Sequence, residues 1–197
     1  EMIATVRDEI QESMAYPVIR AAGAEADDII GHLTESTQEF GQGEPVVIVS
    51  ADKDFLQLHR YKNVKQFSPM KKDFITVADP DYYLFEHICK GDSGDGVPNV
   101  LSHDDTFVNG DRQKPLRATV IQGWYESMNK GMLDVYRNFC RNKKMIDLNN
   151  TPENIREDIS RIHKEQGNKD NKKVFSYLVE KRCNMLIPSV QDFFVNQ

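Results

Sequence analysis

Hydrophobic positions recur along this chain with two different periods. Met2, Ile3, Val6, Ile10 and Met14 fall at near-helical spacing, which predicts an amphipathic helix over residues 2–14. Tyr16-Pro17-Val18-Ile19 is a short apolar run that predicts a strand. Ile29, Ile30, Leu33 and Phe40, set among acids, predict a helix over 25–40. Behind the Gly41-Gln42-Gly43 turn, Val46-Val47-Ile48-Val49 places four β-branched residues in a row, the clearest strand signal in the chain. A continuous apolar run of this kind suits a strand buried on both faces of a parallel sheet. A short helix over 54–60 and a strand over 64–67 complete an α-β-α-β-α-β order, which argues for an α/β unit.

After Lys71 the pattern changes. Residues 80–90 (PDYYLFEHICK) read as a helix with Pro80 near its start and Gly91 as its stop. Residues 99–117 are polar and rich in Asn, Asp, Gly and basic side chains, and a connection that long without structure is usually functional or mobile. Helical patterns then follow over 118–129, 130–142, 151–165, 171–184 and 188–194. The expected division is an α/β domain over 1–78 and a helical domain over 79–197.

Composition narrows the class. A chain of 197 residues buries about 70% of its unfolded surface on folding, so no disulfide or metal staple is needed. No apolar run is long enough for a membrane span, and no secretory leader pattern is present, which predicts a cytoplasmic protein. Cys89, Cys140 and Cys183 are odd in number and widely spaced, and read as reduced, inert thiols. The net charge of −6 at first argues against nucleic acid, but it is uneven. Residues 1–60 hold 12 acidic and 4 basic side chains, and the remainder holds 19 acidic and 21 basic. The opening at Glu1-Met2, inside a helical pattern, predicts a fragment of a longer protein.

Three short segments carry the candidate chemistry: Glu25-Ala26-Asp27-Asp28 at a helix start, Asp52-Lys53-Asp54 behind the strong strand, and Gly91-Asp92-Ser93-Gly94-Asp95-Gly96 after a helix. Each has a bland reading. Acids favour a helix N-terminus, Asp52 could cap the next helix, and Asp92 and Asp95 suit Asx turns. Together they say more. Two carboxylates about 4 Å apart repel by roughly 4 kcal/mol at an effective dielectric of 20. Seven converging acids would exceed the margin of stability unless cations sit among them. Oxygen-only ligands, with no His or Cys among them, suit the hard ions Mg2+ or Mn2+, and a pair of such ions is the usual device for cleaving phosphodiesters.

In order and spacing, Glu-Ala-Asp-Asp, Ser-Ala-Asp-Lys-Asp-Phe and Gly-Asp-Ser-Gly-Asp-Gly-Val-Pro resemble the 5′ nuclease (flap endonuclease) superfamily, most of all its T-even-type phage ribonuclease H subgroup. The resemblance implies a PIN-like parallel sheet with its first strands missing, then a helix-three-turn-helix and an all-α C-terminal part. It implies that Glu25, Asp27, Asp28, Asp52, Asp54, Asp92 and Asp95 are metal-site acids, with Asp27, Asp52, Asp54 and Asp95 catalytic. It implies two Mg2+ ions, with Mn2+ able to substitute. The implied activity is removal of RNA primers and 5′ flaps from duplex DNA during replication, by a monomer. Further candidate partners are a single-stranded-DNA-binding protein and a sliding clamp. The family's early strand with its ligating Asp, and its arch, would precede residue 1, so the chain resembles an N-terminally truncated member. The second glycine pair that many members carry is replaced here by Asn99–Asp105.

Basic residues outside the acidic region suit phosphate contacts: Lys71, Lys72, Arg112, Lys114 and Arg117, helped by the backbone at Gly94 and Gly96. Arg141-x-Lys143-Lys144 and Lys169-x-x-Lys172-Lys173 are further clusters that also suit a solvated helix face. The five scattered histidines receive no role. Trp124 reads as a packing residue, and Phe193-Phe194 as packing or as a dock for a replication partner. Two other functions stay open: a DNA-binding module without catalysis, and a PIN-type ribonuclease acting on single-stranded RNA.

Overall fold

The computed structural model describes residues 2–14, 16–38, 43–127, 131–167 and 173–194. Phe40, Lys169, Lys172 and the stretch 128–130, which joins two expected helices, lie outside them. The chain divides into two compact units, Glu25–Glu153 and a second built from Glu1–Ala24 with Asn154–Gln197.

In the second unit, helix α1 (Met2–Ser13) forms at the expected place. Residues 16–19 do not form a strand, against expectation. Val18 instead satisfies its N–H on Gln166 Oε1 at 2.8 Å and its carbonyl on Gln166 Nε2. A side-chain amide thus takes the place of a neighbouring strand. Ile159, from the helix Glu153–Gln166, and Val174 and Leu178, from the helix Val174–Glu180, are fully buried, and Ala21 is buried too. Glu9 accepts the Tyr177 hydroxyl at 3.1 Å and pairs with Lys181.

In Glu25–Glu153, helix α2 (Ala26–Ser36) precedes strand β1 (Val46–Val49), a 3-10 helix (Asp54–Arg60), and strands β2 (Val64–Ser68) and β3 (Asp73–Ile75). Strand β2 is central. It pairs parallel with β1, Val46 opposite Val64, and antiparallel with β3, Phe67 opposite Phe74. The antiparallel strand was not legible in the sequence, because Asp73-Phe74-Ile75 is too short to show a period.

Strand β1 is not buried on both faces as its apolar run suggested. Ile48 is 5% exposed and packs with Phe55, Leu58 and Val64, whereas Val47 and Val49 are 56% and 65% exposed. Side chains alternate along a strand, so one face lies over the 3-10 helix and the other does not.

Helix α3 (Pro80–Lys90) begins on an N-cap, Asp79, whose side chain accepts the Tyr82 N–H at 2.9 Å. The turn-rich segment 91–117 then leads to α4 (Ala118–Glu126), followed by α5 (Tyr136–Ile146). Helix α5 starts later than the expected 130–142, because Leu133–Val135 takes a 3-10 turn first. Helices α6 (Glu153–Gln166) and α7 (Val174–Glu180) and a 3-10 segment (Ile187–Phe193) close the chain.

Phe85, Cys89, Val100, Ile121 and Met132 form a core of α3, α4 and the turn region, with Trp124 packed against it. Burial pushes the Cys89 thiol up to about 12, so it stays a neutral apolar side chain. All three cysteines are unpaired. Among the described residues no helix is long and apolar enough to cross a membrane.

Candidate metal centre

The first acidic segment opens α2. Asp28 Oδ2 accepts the Glu25 N–H at 3.0 Å, and Asp28 Oδ1 accepts the Thr151 hydroxyl at 2.9 Å. Both oxygens of Asp28 are therefore engaged in holding the helix start, which satisfies an otherwise unpaired donor there. Asp27 is free of such duties. Burial, then the charges of Asp52 and Asp54, push its carboxyl up to about 6.

The second segment leaves β1 at its carboxyl end. Fully buried Gln66 fixes the exit, its Nε2 donating to Ser50 O at 2.9 Å and Asp52 O at 2.6 Å. Asp52 does not cap the 3-10 helix, whose N-cap is Lys53; its Oδ1 accepts the Asp54 N–H at 3.1 Å in an Asx-type turn. Asp54 is half-buried, and burial raises its carboxyl against the opposing pull of His87.

The third segment is the turn after α3. Asp92 Oδ1 accepts the Gly94 N–H at 2.7 Å and the Asp95 N–H at 3.3 Å. Burial opposes ionisation of Asp92, but these N–H groups and the His87 imidazole hold its carboxyl below the usual range. Val97 N–H donates to Asp92 O at 2.6 Å and closes the turn. Asn142, fully buried on α5, donates its amide to Ile88 O and Pro98 O, each at 2.8 Å, and so ties both flanks of the turn to one helix.

All three segments meet. One crevice is lined by Glu25, Asp27, Asp28, Asp54, His87, Asp92 and Asp95, with Met145, Ile146 and Leu148 as its apolar wall. An adjoining open cleft of about 440 Å³ carries Lys53 on its lining beside Asp52, Asp54, Tyr83, His87, Asp92 and Asp95. Ligand atoms of Asp27, Asp52 and Asp54 lie within 4.8 Å of one another, as do those of Asp54, His87 and Asp92. Asp54 belongs to both trios. The donors fit a hard divalent cation: carboxylates from three segments are held together against their own repulsion, and no Lys or Arg among the described lining residues of the inner crevice offsets them.

The raised Asp27 carboxyl gives a pH prediction. Its folded value, about 6, lies above the roughly 3.9 of an unfolded Asp. The folded chain therefore holds the extra proton between those values, and stability falls as pH rises through that window. In EDTA, Asp27→Asn is expected to melt with the parent near about pH 4 and above it near about pH 7.5. Millimolar Mg2+ should raise the parent's melting temperature and raise the variant's by less, because Asp27 belongs to one of the two candidate trios.

Sequence reasoning set the histidines aside, yet His87 sits between two of the acids. Its Nε2 lies 3.3 Å from Asp92 Oδ2 and its Nδ1 lies 3.6 Å from Asp54 Oδ1. The available signal was positional: His87 shares a helical face with Tyr83 and stands one turn before Gly91. Gln66 and Asn142 carried a subtler one, a polar residue at a position of core periodicity.

The basic residues are arranged outside the crevice. Lys71 and Lys72 are exposed in the β2–β3 turn. Arg112, Lys114 and Arg117 are exposed in the turn-rich segment, as are Gly94 and Gly96. Asn99 Nδ2 donates to the Lys114 carbonyl at 2.8 Å, Ser102 Oγ accepts the Lys114 N–H at 2.9 Å, and Gln113 Oε1 accepts the Asn99 N–H at 2.6 Å. The main chain at 113–114 is thereby fixed to residues that directly follow the acidic turn. Arg141 is not a free cation. It pairs with Asp104, alongside Arg137, and donates to Pro98 O at 2.8 Å.

Residues 2–84 match the family model described as 5′-3′ exonuclease, N-terminal resolvase-like domain, and residues 78–193 match that described as T4 RNase H, C terminal. The chain is 29% identical to the ribonuclease H of Enterobacteria phage T4 over 198 aligned residues, covering 95% of this chain and 64% of that protein. It is 35% identical over 100 residues to DNA polymerase I of Rhizobium leguminosarum, covering 47% of this chain and 10% of that one. It is 32% identical over 99 residues to a 5′-3′ exonuclease of Buchnera aphidicola, covering 46% and 33%. The chain thus spans less than two thirds of the length of each of these relatives. With the second model covering more than half of its residues, and the first most of the remainder, the chain belongs to the T4 RNase H branch of the 5′-3′ exonuclease family.

Proposed function

We propose that this chain carries acids of a divalent-metal-dependent 5′ nuclease, which hydrolyses phosphodiesters to remove RNA primers and 5′ flaps from duplex DNA during replication. The observation that carries the reading is the convergence of carboxylates from three segments on one crevice, with Asp54 shared by two candidate ligand trios. Mg2+ is the proposed cofactor at two positions, with Mn2+ able to substitute. Asp27, Asp52 and Asp54 are the proposed direct ligands, and Asp92, whose Oδ1 already accepts two backbone N–H groups, is a metal-site acid that acts through its neighbours. Glu25 and Asp95 line the crevice and act through water, and Asp28 acts by holding Asp27 at the helix start. A divalent ion bound there supplies Lewis acidity toward a phosphoryl oxygen and lowers the pKa of a coordinated water.

The chain's own residues do the rest. Gln66 and Asn142 hold the acid-bearing loops rigid, so little reorganisation is needed when substrate arrives. Arg112, Lys114 and Arg117, with the exposed backbone at Gly94 and Gly96, grip the duplex backbone, and Lys71 and Lys72 extend that surface. Such contacts read shape and charge without reading bases, as a nuclease acting on any sequence requires. The meeting of the two family models at 78–84 supports a division into a nuclease part over 1–78 and a helical, duplex-holding part over 79–197. A single-stranded-DNA-binding protein and a sliding clamp are the proposed further partners of a monomer.

The test is cleavage by the full-length polypeptide of a 5′-labelled flap duplex, an RNA-primed duplex and free single-stranded RNA. The proposal expects short products from the 5′ ends of both duplexes, in Mg2+ and not in EDTA. Preference for the free RNA would point instead to a PIN-type ribonuclease.

A further inference from the structure

Among the described residues that line the inner crevice, His87 carries the one side-chain nitrogen, and it is built in. It projects from α3, one turn before Gly91, with its side chain 16% exposed. Its Nε2 lies 3.3 Å from Asp92 Oδ2, close enough to donate a proton there. Its Nδ1 is buried and has no hydrogen-bond partner, and Asp54 Oδ1 stands 3.6 Å away. A buried ring nitrogen without a partner costs free energy unless something meets its lone pair. Donation from Nε2 to Asp92 would fix the tautomer that leaves that lone pair on Nδ1, facing Asp54. This is the arrangement in which metal-ligating histidines are usually held, one nitrogen on the ion and the other N–H on a carboxylate. Adjacent ligands on an ion with bonds of about 2.1 Å stand about 3 Å apart, so the Nδ1 and Asp54 oxygen need only a small closure.

We propose that His87 Nδ1 is a direct ligand, with Asp54, to a divalent cation, and that Asp92 orients the imidazole. The inference rests on the metal reading of the same crevice and goes beyond it. One of the cation positions is then a mixed nitrogen–oxygen site. Imidazole raises affinity for Mn2+, Co2+ or Zn2+ far more than for Mg2+, which prefers oxygen. The site would select among ions by more than charge.

The test is electron spin-echo envelope modulation of Mn2+ bound to the 197-residue chain. The expected result is a directly coordinated ¹⁴N in the parent chain and in His103→Gln, where the histidine is exposed and paired with Asp105. In His87→Gln the nitrogen signal should vanish and the Mn2+ dissociation constant should rise about 10-fold, with Mg2+ affinity nearly constant. Bound Mn2+ with no nitrogen coupling in the parent chain would overturn the role of His87 and leave the carboxylate site standing. Failure of the parent chain to bind Mn2+ would overturn the metal reading beneath both. Because the parent spectrum decides the matter, the result does not depend on how well the variant folds.

Discussion

Asp54→Asn is expected to lower the metal-dependent cleavage rate of the full-length polypeptide by about 10³-fold or more, while the metal-free chain becomes no less stable. The loss follows from position. Asp54 is the side chain common to both trios that could hold a cation, so one substitution weakens both. Withdrawing one well-placed electrostatic group commonly costs about 10²–10³ in rate, and this change touches two positions. The stability effect has the opposite sign. Burial raises the Asp54 carboxyl, Asp52, Asp92 and Asp95 raise it further, and His87 alone works the other way. Without a cation the ionised group is a liability to the fold, and a neutral amide of the same shape removes it. Rates at saturating Mg2+ and melting temperatures in EDTA, taken on the same preparations, check both signs. A variant slower only because it is unfolded would fail the second measurement.

Gly91→Ala has the largest effect on the fold. Gly91 sits at φ 68°, ψ −177°, a region populated essentially by glycine alone. A Cβ there would stand 2.3 Å from Val97 O and 2.7 Å from both Pro98 C and O, all backbone atoms. None of these can swing aside as a side-chain tip could. The turn must open, and opening it breaks the Val97 N–H bond to Asp92 O. The expected cost is about 3 kcal/mol or more, with Mg2+ binding lost as Asp92 and Asp95 leave the crevice. Gly96 provides the contrast within the same turn. Its φ is 74°, but an added Cβ would meet nothing within 4 Å, so Gly96→Ala should cost only about 1–2 kcal/mol. Urea midpoints of the two variants beside the parent check the ordering.

The site was legible in the sequence where it depended on residue type and local period. The helix over Pro80–Lys90 carried its own start and stop, Pro80 and Gly91, and formed between them. The strand at Val46–Val49 was legible as a strand, and its carboxyl end pointed to Asp52 and Asp54. Burial of that strand was not legible. An unbroken β-branched run looks the same whether one face or two are covered, and here Val47 and Val49 are largely exposed. The strand expected at residues 16–19 failed for a related reason. Apolar residues say that a segment packs, and leave open what satisfies its backbone, which here is the Gln166 amide, 148 residues away in sequence.

Long-range partners hid the remainder of the site. His87 gains meaning from Asp54, a residue of another element, and local spacing cannot bring the two together. Asn142 and Gln66 look like ordinary polar residues until the carbonyls that they hold are known. Arg141 looked available for phosphate, yet Asp104 and the Pro98 carbonyl already engage it. Charge counts had the same weakness: the acid excess over residues 1–60 hinted at a cluster, but only the fold separates Asp27, which faces other acids, from Asp28, which closes a helix.

The central claim is that acids from three segments of the chain form one site for divalent cations. Its most direct measurement is anomalous scattering at the manganese edge from crystals of the chain grown with Mn2+. The account predicts a peak bonded to Asp54 and to at least one of Asp27 and Asp52, and its loss in Asp54→Asn. A crevice without a peak at saturating Mn2+, or a peak that persists unchanged in the variant, would contradict it.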